Sequence, residues 1–355
     1  MDLNDVALGT EIYREICSQP HAWGELIPTI LAQSSEIRAF FNGVSHIVLG
    51  GCGSGLNAAR YGAPLLQMKC EVMAQFAPAI DLTIFPETVL RQREDAVVIL
   101  LSRSGRTTEV LQALDAMHVR GIPVLAITCM GGSPLAEGAD YTLILDSVQE
   151  KAVTTTRSLT GMLIVLQLIA ALISDDQAYL AYLRRLPELC GSLLGQAEAI
   201  GREIGSRTDL VKYAFMANGP NIGVAHEAQL KIKETTCLPA DAYPMLDFRH
   251  GPQATVSSDM LIVACASRRG QDQEESLIHD MQDKGAVTCV LCDQASNELR
   301  AHADYLLEFR TGGDDLSVGP LYLPPIQFLA CYRSLSLGLN PDQPQNLAYW
   351  IDTSV

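Results

Sequence analysis

The chain repeats itself. Residues 46–54 (HIVLGGCGS) and 211–219 (VKYAFMANG) each read as an apolar strand run that ends in small residues and leads into a helical stretch. Ala96–Gly105 (AVVILLSRSG) pairs with Met260–Gly270 (MLIVACASRRG), and Ile122–Cys129 (IPVLAITC) with Ala286–Cys292 (AVTCVLC). Ala139-Asp140-Tyr141 recurs as Ala303-Asp304-Tyr305. The four pairs keep their order and share an offset of about 165 residues, the mark of an internal duplication.

Within each half, apolar strand runs alternate with helical stretches such as 111–119 and 275–284. Continuous apolar strands in that alternation imply a parallel sheet covered on both faces. The expected fold is therefore α/β, two doubly wound parallel sheets flanked by helices. The 355 residues divide into a helical segment 1–45, a first domain 46–185, a connecting helix 186–205 and a second domain 206–355. One long helical stretch is expected from Gln177 to about Ile204. Ligands of such sheets bind at the carboxyl ends of the strands. That rule singles out Gly50–Asn57, Ser102–Thr108, Asn218–Ala225 and Ser267–Gly270.

Charge and composition narrow the function. A net charge of −16 with no long basic run argues against nucleic acid as a partner. An anionic substrate would then have to be held locally, by backbone N–H groups and hydroxyls. The N-terminal residues lack the basic and apolar regions of a signal peptide. The longest apolar run, Gly161–Ile173, is short for a membrane span and reads as a buried core helix. Ten scattered cysteines fit reduced thiols and a cytoplasmic location. Cys289 and Cys292 have CxxC spacing, but inside a strand pattern with no second pair, so core packing is expected rather than a metal site.

Two segments can carry chemistry. Ser102-Arg103-Ser104-Gly105-Arg106-Thr107-Thr108 follows a strand and opens a helix, so its hydroxyls and N–H groups can cradle an anion. Gly51-Cys52-Gly53-Ser54-Gly55 offers a second close turn, although both loops also fit ordinary capped strand–helix turns. Neither is a dinucleotide fingerprint or a P-loop. The second segment is Ala225–Gly251, where Glu227, Lys231 and Glu234 fall on one helical face. A solvated salt-bridge row has that same spacing. The position just after a strand, and His250 in the following loop, favour a site.

Together these blocks resemble the sugar isomerase (SIS) family, and within it most the isomerase half of glucosamine-6-phosphate synthase. The glycine turn GCGSG, the phosphate loop Ser102–Thr107 and the spacing of Glu150, Val153, Thr156 and Thr160 match the family's pattern. So do Glu227, Lys231, Lys233 and Glu234, His250–Pro252, and the run Asp342–Ala348. The resemblance implies two tandem SIS domains. It implies that Ser102, Arg103, Ser104 and Thr107 bind a sugar 6-phosphate, with Ser54 nearby and Val153 and Thr155 lining the sugar. It makes Glu234 the base that shuttles a proton between C1 and C2, supported by Lys231 and Glu227. His250 opens the sugar ring from the partner subunit of a homodimer. No metal or organic cofactor is implied.

Two departures matter. The synthase has a Schiff-base lysine where this chain has Tyr349, and no lysine follows Lys284. Gly55 replaces a phosphate-loop serine. The 45 residues ahead of the repeat leave no room for a glutaminase domain, so synthase activity with glutamine is not expected. The chain therefore resembles the fructoselysine and glucoselysine 6-phosphate deglycases, which act on a sugar that already carries nitrogen. Glucosamine-6-phosphate deamination or ketose–aldose isomerisation is the alternative, and a non-catalytic sugar-phosphate sensor the third.

Overall fold

The computed structural model describes residues 9–90 and 95–351. Ten strands are present among them: β1 (His46–Gly51), β2 (Met73–Pro78), β3 (Ala96–Leu101), β4 (Val124–Thr128), β5 (Tyr141–Ile144), β6 (Lys212–Ala217), β7 (Ala240–Pro244), β8 (Met260–Cys265), β9 (Val287–Cys292) and β10 (Tyr305–Glu308). They form two five-stranded sheets, ordered β2-β1-β3-β4-β5 and β10-β9-β8-β6-β7. Read from β7, the second order is the first with every label raised by five, and every strand pair is parallel. The duplication seen in the sequence is thus a duplication of topology.

The central strands are sealed on both faces: every residue of β1, β3, β4 and β8 is buried. The recurring Ala-Asp-Tyr has a physical cause. Asp140 accepts the N–H of Val124 at 2.8 Å, and Asp304 accepts that of Thr288 at 2.9 Å. In each half one carboxylate therefore ties the turn before the last strand to the start of its neighbour.

Six helices matter for the site: α1 (Ser54–Lys69), α2 (Thr108–Val119), α3 (Arg157–Ile173), α4 (Ile222–Thr236), α5 (Gln271–Asp283) and α6 (Leu323–Ser336). The apolar run lies in α3, which is buried from Ser158 to Leu172, a core helix as expected. Among the described residues, no helix is long and apolar enough to cross a membrane. Cys289 and Cys292 are buried in β9. Burial pushes the Cys289 thiol up to about 12, so it packs as an uncharged apolar group.

The expected single helix from 177 to 204 is in fact two, Gln177–Leu183 and Leu186–Gly205. Pro187 explains the break. It has no N–H to donate, and its ring collides with the carbonyl four residues earlier, that of Leu183. Contacts divide the chain into two compact units. One comprises the described residues of Ser18–Glu188 and Ala348–Ile351, and holds the first sheet. The other comprises Gly9–Cys17 and Leu189–Leu347, and holds the second.

Replacing Asp140 or Asp304 by alanine frees an N–H at a strand start and is expected to cost about 1 kcal/mol in either half. Urea unfolding of the two variants checks this. A loss in one half only would show that the repeated motif is not doing the same work twice.

Candidate active site

The first unit carries the hydroxyl-rich loop. β1 ends at Gly51 and α1 starts at Ser54, and the backbone on either side of this turn packs too closely for a side chain at Gly51 or Gly55. A Cβ on Gly51 would lie 2.5 Å from the carbonyl carbon of Gly55, and one on Gly55 would lie 2.5 Å from the Leu101 carbonyl oxygen. This accounts for the departure at position 55: a serine there requires the start of α1 to move off the end of β3. The same contact sets the glycine turn beside the loop that begins at Ser102.

That loop folds on its own hydroxyls. Gly105 donates its N–H to Ser102 Oγ at 3.1 Å, Arg106 donates to Ser104 Oγ at 3.2 Å, and Ser102 Oγ lies 3.3 Å from Thr107 Oγ1. Gly105 has φ +61°, and a Cβ there would strike Ser133 Oγ at 2.1 Å. Only glycine makes this turn. Ser54 Oγ pairs with Thr155 Oγ1 at 2.7 Å, so these two expected sugar contacts share one hydrogen bond. Ser102 and Ser104 are buried, whereas Ser54, Thr107, Val153 and Thr155 are partly exposed.

Arg103 turns elsewhere. Its guanidinium donates to the carbonyls of Ala152 (3.1 Å), Val153 (2.9 Å) and Tyr349 (3.0 Å), lies 3.5 Å from Glu150, and sits 3.9 Å over the Tyr349 ring. It therefore holds the 150–156 segment and the tail at Tyr349, and is not free for an anion. Glu150 is buried and accepts from the N–H and hydroxyl of Thr156 and from Ser158. The Tyr349 hydroxyl donates to the Glu150 carbonyl at 2.8 Å. Family spacing marks Glu150 and Tyr349 in the sequence, but their meeting at Arg103 has no local signal.

The second unit carries the charged helix. α4 packs on β6, β7 and α6, and ends at Cys237, whose φ of +57° stops it. Lys231 Nζ lies 3.2 Å from Glu227 and 2.5 Å from Glu234. The side chains of Lys231 and Glu227 are 2% and 1% exposed, and Glu234 is 20% exposed. This is a desolvated ion cluster, not a solvated row. Burial alone would pull the Lys231 pKa down, but the two carboxylates outweigh it and hold the group above its ordinary value. Lys231 accordingly stays an ammonium and cannot act as a nucleophilic amine.

Glu234 also lines a cavity of about 170 Å³, together with Thr235, Cys237, Asn340, Gln343 and Gln345. Of the three charged groups it is the one open to a ligand. The amides of Gln343 and Gln345 were not singled out by residue type; the Asp342-Gln343-Pro344 run was the available signal. His250 is exposed on the loop after Leu246–Arg249, its N–H donated to Asp247. Among the described residues, nothing fixes its imidazole beside Glu234.

Removing the ammonium should expose the cost of this cluster. Lys231→Met leaves two carboxylates facing each other and is expected to lose about 3–5 kcal/mol. Chemical denaturation of the variant checks it, and an unchanged midpoint would show that Glu227 and Glu234 do not depend on Lys231.

A family model described as the SIS domain matches residues 40–172 and 212–336. The isomerizing glutamine–fructose-6-phosphate aminotransferase of Pseudomonas aeruginosa is 28% identical over 338 residues, covering 91% of this chain and 54% of that protein. The chain spans about half the length of the curated relatives it matches. The tagatose-6-phosphate ketose/aldose isomerase structure from Escherichia coli superposes with a TM-score of 0.85 at 21% identity, covering 97% of each chain. The glucosamine-6-phosphate deaminase from Thermotoga maritima gives 0.73 at 24%, covering 92% of this chain and 99% of that one. These two show a shared fold. With a matching segment in each half, the chain belongs to the SIS domain family.

Proposed function

We propose that the chain is a sugar-phosphate enzyme that cleaves the C–N bond of a 6-phosphorylated ketoamine. The hydroxyls of Ser102, Ser104 and Thr107 and the N–H groups of their loop take the phosphate. Ser54, Val153 and Thr155 border the sugar. Glu234 removes a proton from C1, giving an enaminol, and delivers a proton to C2, giving an aldimine. Water then hydrolyses the aldimine to the aldose 6-phosphate and the free amine. Lys231 holds the Glu234 carboxylate in place, and Glu227 balances Lys231. The exposed His250 opens the sugar ring, acting in the site of the partner subunit of a homodimer.

Tyr349 carries the choice of reaction. It stands where the family's transferases place a lysine, its hydroxyl is held by the Glu150 carbonyl and its ring by Arg103. No lysine follows Lys284 in the sequence, which favours a substrate that already carries nitrogen. Aminotransferase activity of the kind named for the Pseudomonas relative is therefore not proposed here. A deaminase or ketose–aldose isomerase would use the same phosphate loop and the same glutamate, and differs in where nitrogen sits or in whether the substrate carries it. A sensor has no use for a desolvated Glu–Lys–Glu cluster opening on a cavity.

Incubation with a panel of 6-phosphorylated ketoamines, amino sugars and ketoses tests this. Amine released from the ketoamines is expected. Turnover of the amino sugar or plain ketose alone would replace the proposal by the deaminase or isomerase reading. Glu234→Gln should lower kcat by about 10³-fold or more with binding nearly unchanged, whereas Ser104→Ala should act mainly on KM. Mixed dimers of inactive Glu234 and His250 variants should regain part of the activity, and their failure to do so would place His250 outside a shared site.

A further inference from the structure

The duplication leaves two versions of the anion loop. In the first, Ser102-Arg103-Ser104-Gly105 follows β3 and leads to α2; in the second, Ser267-Arg268-Arg269-Gly270 follows β8 and leads to α5. Both close in the same manner. Gly105 donates to Ser102 Oγ at 3.1 Å, and Gly270 donates to Ser267 Oγ at 3.0 Å. They differ in what sits on the backbone. The N–H groups of Arg103 and Ser104 meet no acceptor among the described residues. Those of Arg268 and Arg269 are both taken by one carboxylate: Asp315 Oδ1 accepts from Arg268 at 2.8 Å, and Oδ2 from Arg269 at 3.2 Å.

Successive N–H groups aimed at one point make an anion nest, and a carboxylate spanning two of them occupies it as two phosphate oxygens would. Asp315 is built in for this. Its side chain is only 13% exposed, Arg269 Nε lies 3.7 Å from Oδ2, and its own carbonyl accepts from Asn221 at 3.0 Å. Around it, Glu274 accepts from the N–H and hydroxyl of Ser267 at 2.6 and 2.8 Å, and Arg268 pairs with Asp293. The second loop is thus satisfied by the chain itself.

We infer that the second half keeps the anion-binding turn of the duplication but closes it with Asp315 as an internal anion, so the chain takes one phosphate and not two. This is independent of the reaction assigned to Glu234. It also makes Asp315 the residue that holds the second copy shut.

The test is stoichiometry. Calorimetric titration of the full chain with inorganic phosphate and with a hexose 6-phosphate should give one site, lost or severely weakened in Ser104→Ala. Asp315→Ala frees two N–H groups and the Arg269 guanidinium. It should add a second phosphate site, one that survives when Ser104→Ala is introduced as well. A second phosphate on the unaltered chain would overturn the inference, as would a folded Asp315→Ala protein with unchanged stoichiometry. Should Asp315→Ala not fold, the count on the unaltered chain decides. If the first loop is not the phosphate site, the unaltered chain binds none at either loop, and Asp315→Ala still gains one.

Discussion

The Lys231 ammonium has almost no water around it. A charge in that position survives only if counter-charges and hydrogen bonds replace its hydration, and Glu227 and Glu234 supply them one helical turn to either side. Much follows from that balance. Lys231 stays protonated, so it neutralises and does not react. Glu227 is sealed with it and serves as ballast. Glu234 is pulled to 2.5 Å from the ammonium yet keeps one side toward a cavity, so a carboxylate of fixed orientation is offered to a ligand. Preorganised charge of this kind lowers the cost of moving a proton, because little has to reorient during the step.

In the other unit, close backbone approach does the organising. Gly51, Gly55 and Gly105 let strand ends, helix starts and the Ser133 hydroxyl come nearer than a Cβ allows. Around that frame Arg103 gathers carbonyls from Ala152, Val153 and Tyr349. The arginine thereby links the hydroxyl loop, the 150–156 segment and the tail residue Tyr349 into one piece. An arginine in a phosphate loop invites assignment to the phosphate, but here its guanidinium spends three hydrogen bonds on carbonyls inside the protein.

The fold was legible because the duplication is written in strands, and strands sealed on both faces leave uninterrupted apolar runs. Asp140 and Asp304 survive in both copies since each performs the same backbone tie. The charged helix was only half legible. An i, i+4, i+7 spacing is identical for a surface row and a buried cluster, and the decision comes from β6, β7 and α6, remote in sequence. The partners of the Arg103 guanidinium were hidden for the same reason, since Tyr349 lies 246 residues away. The helix break at Pro187 was readable from the proline alone. Gly55, which replaces a phosphate-loop serine of the family, also meets a steric limit at Leu101.

The chemistry assigned to Glu234 is tested most directly by following label from C1. A 6-phosphorylated ketoamine carrying two deuterons at C1 should give an aldose phosphate with one deuteron left at C1, the other appearing at C2 or in water. Release of amine with a ketose phosphate that retains both deuterons at C1 would contradict proton transfer between C1 and C2 and leave Glu234 without the role given to it.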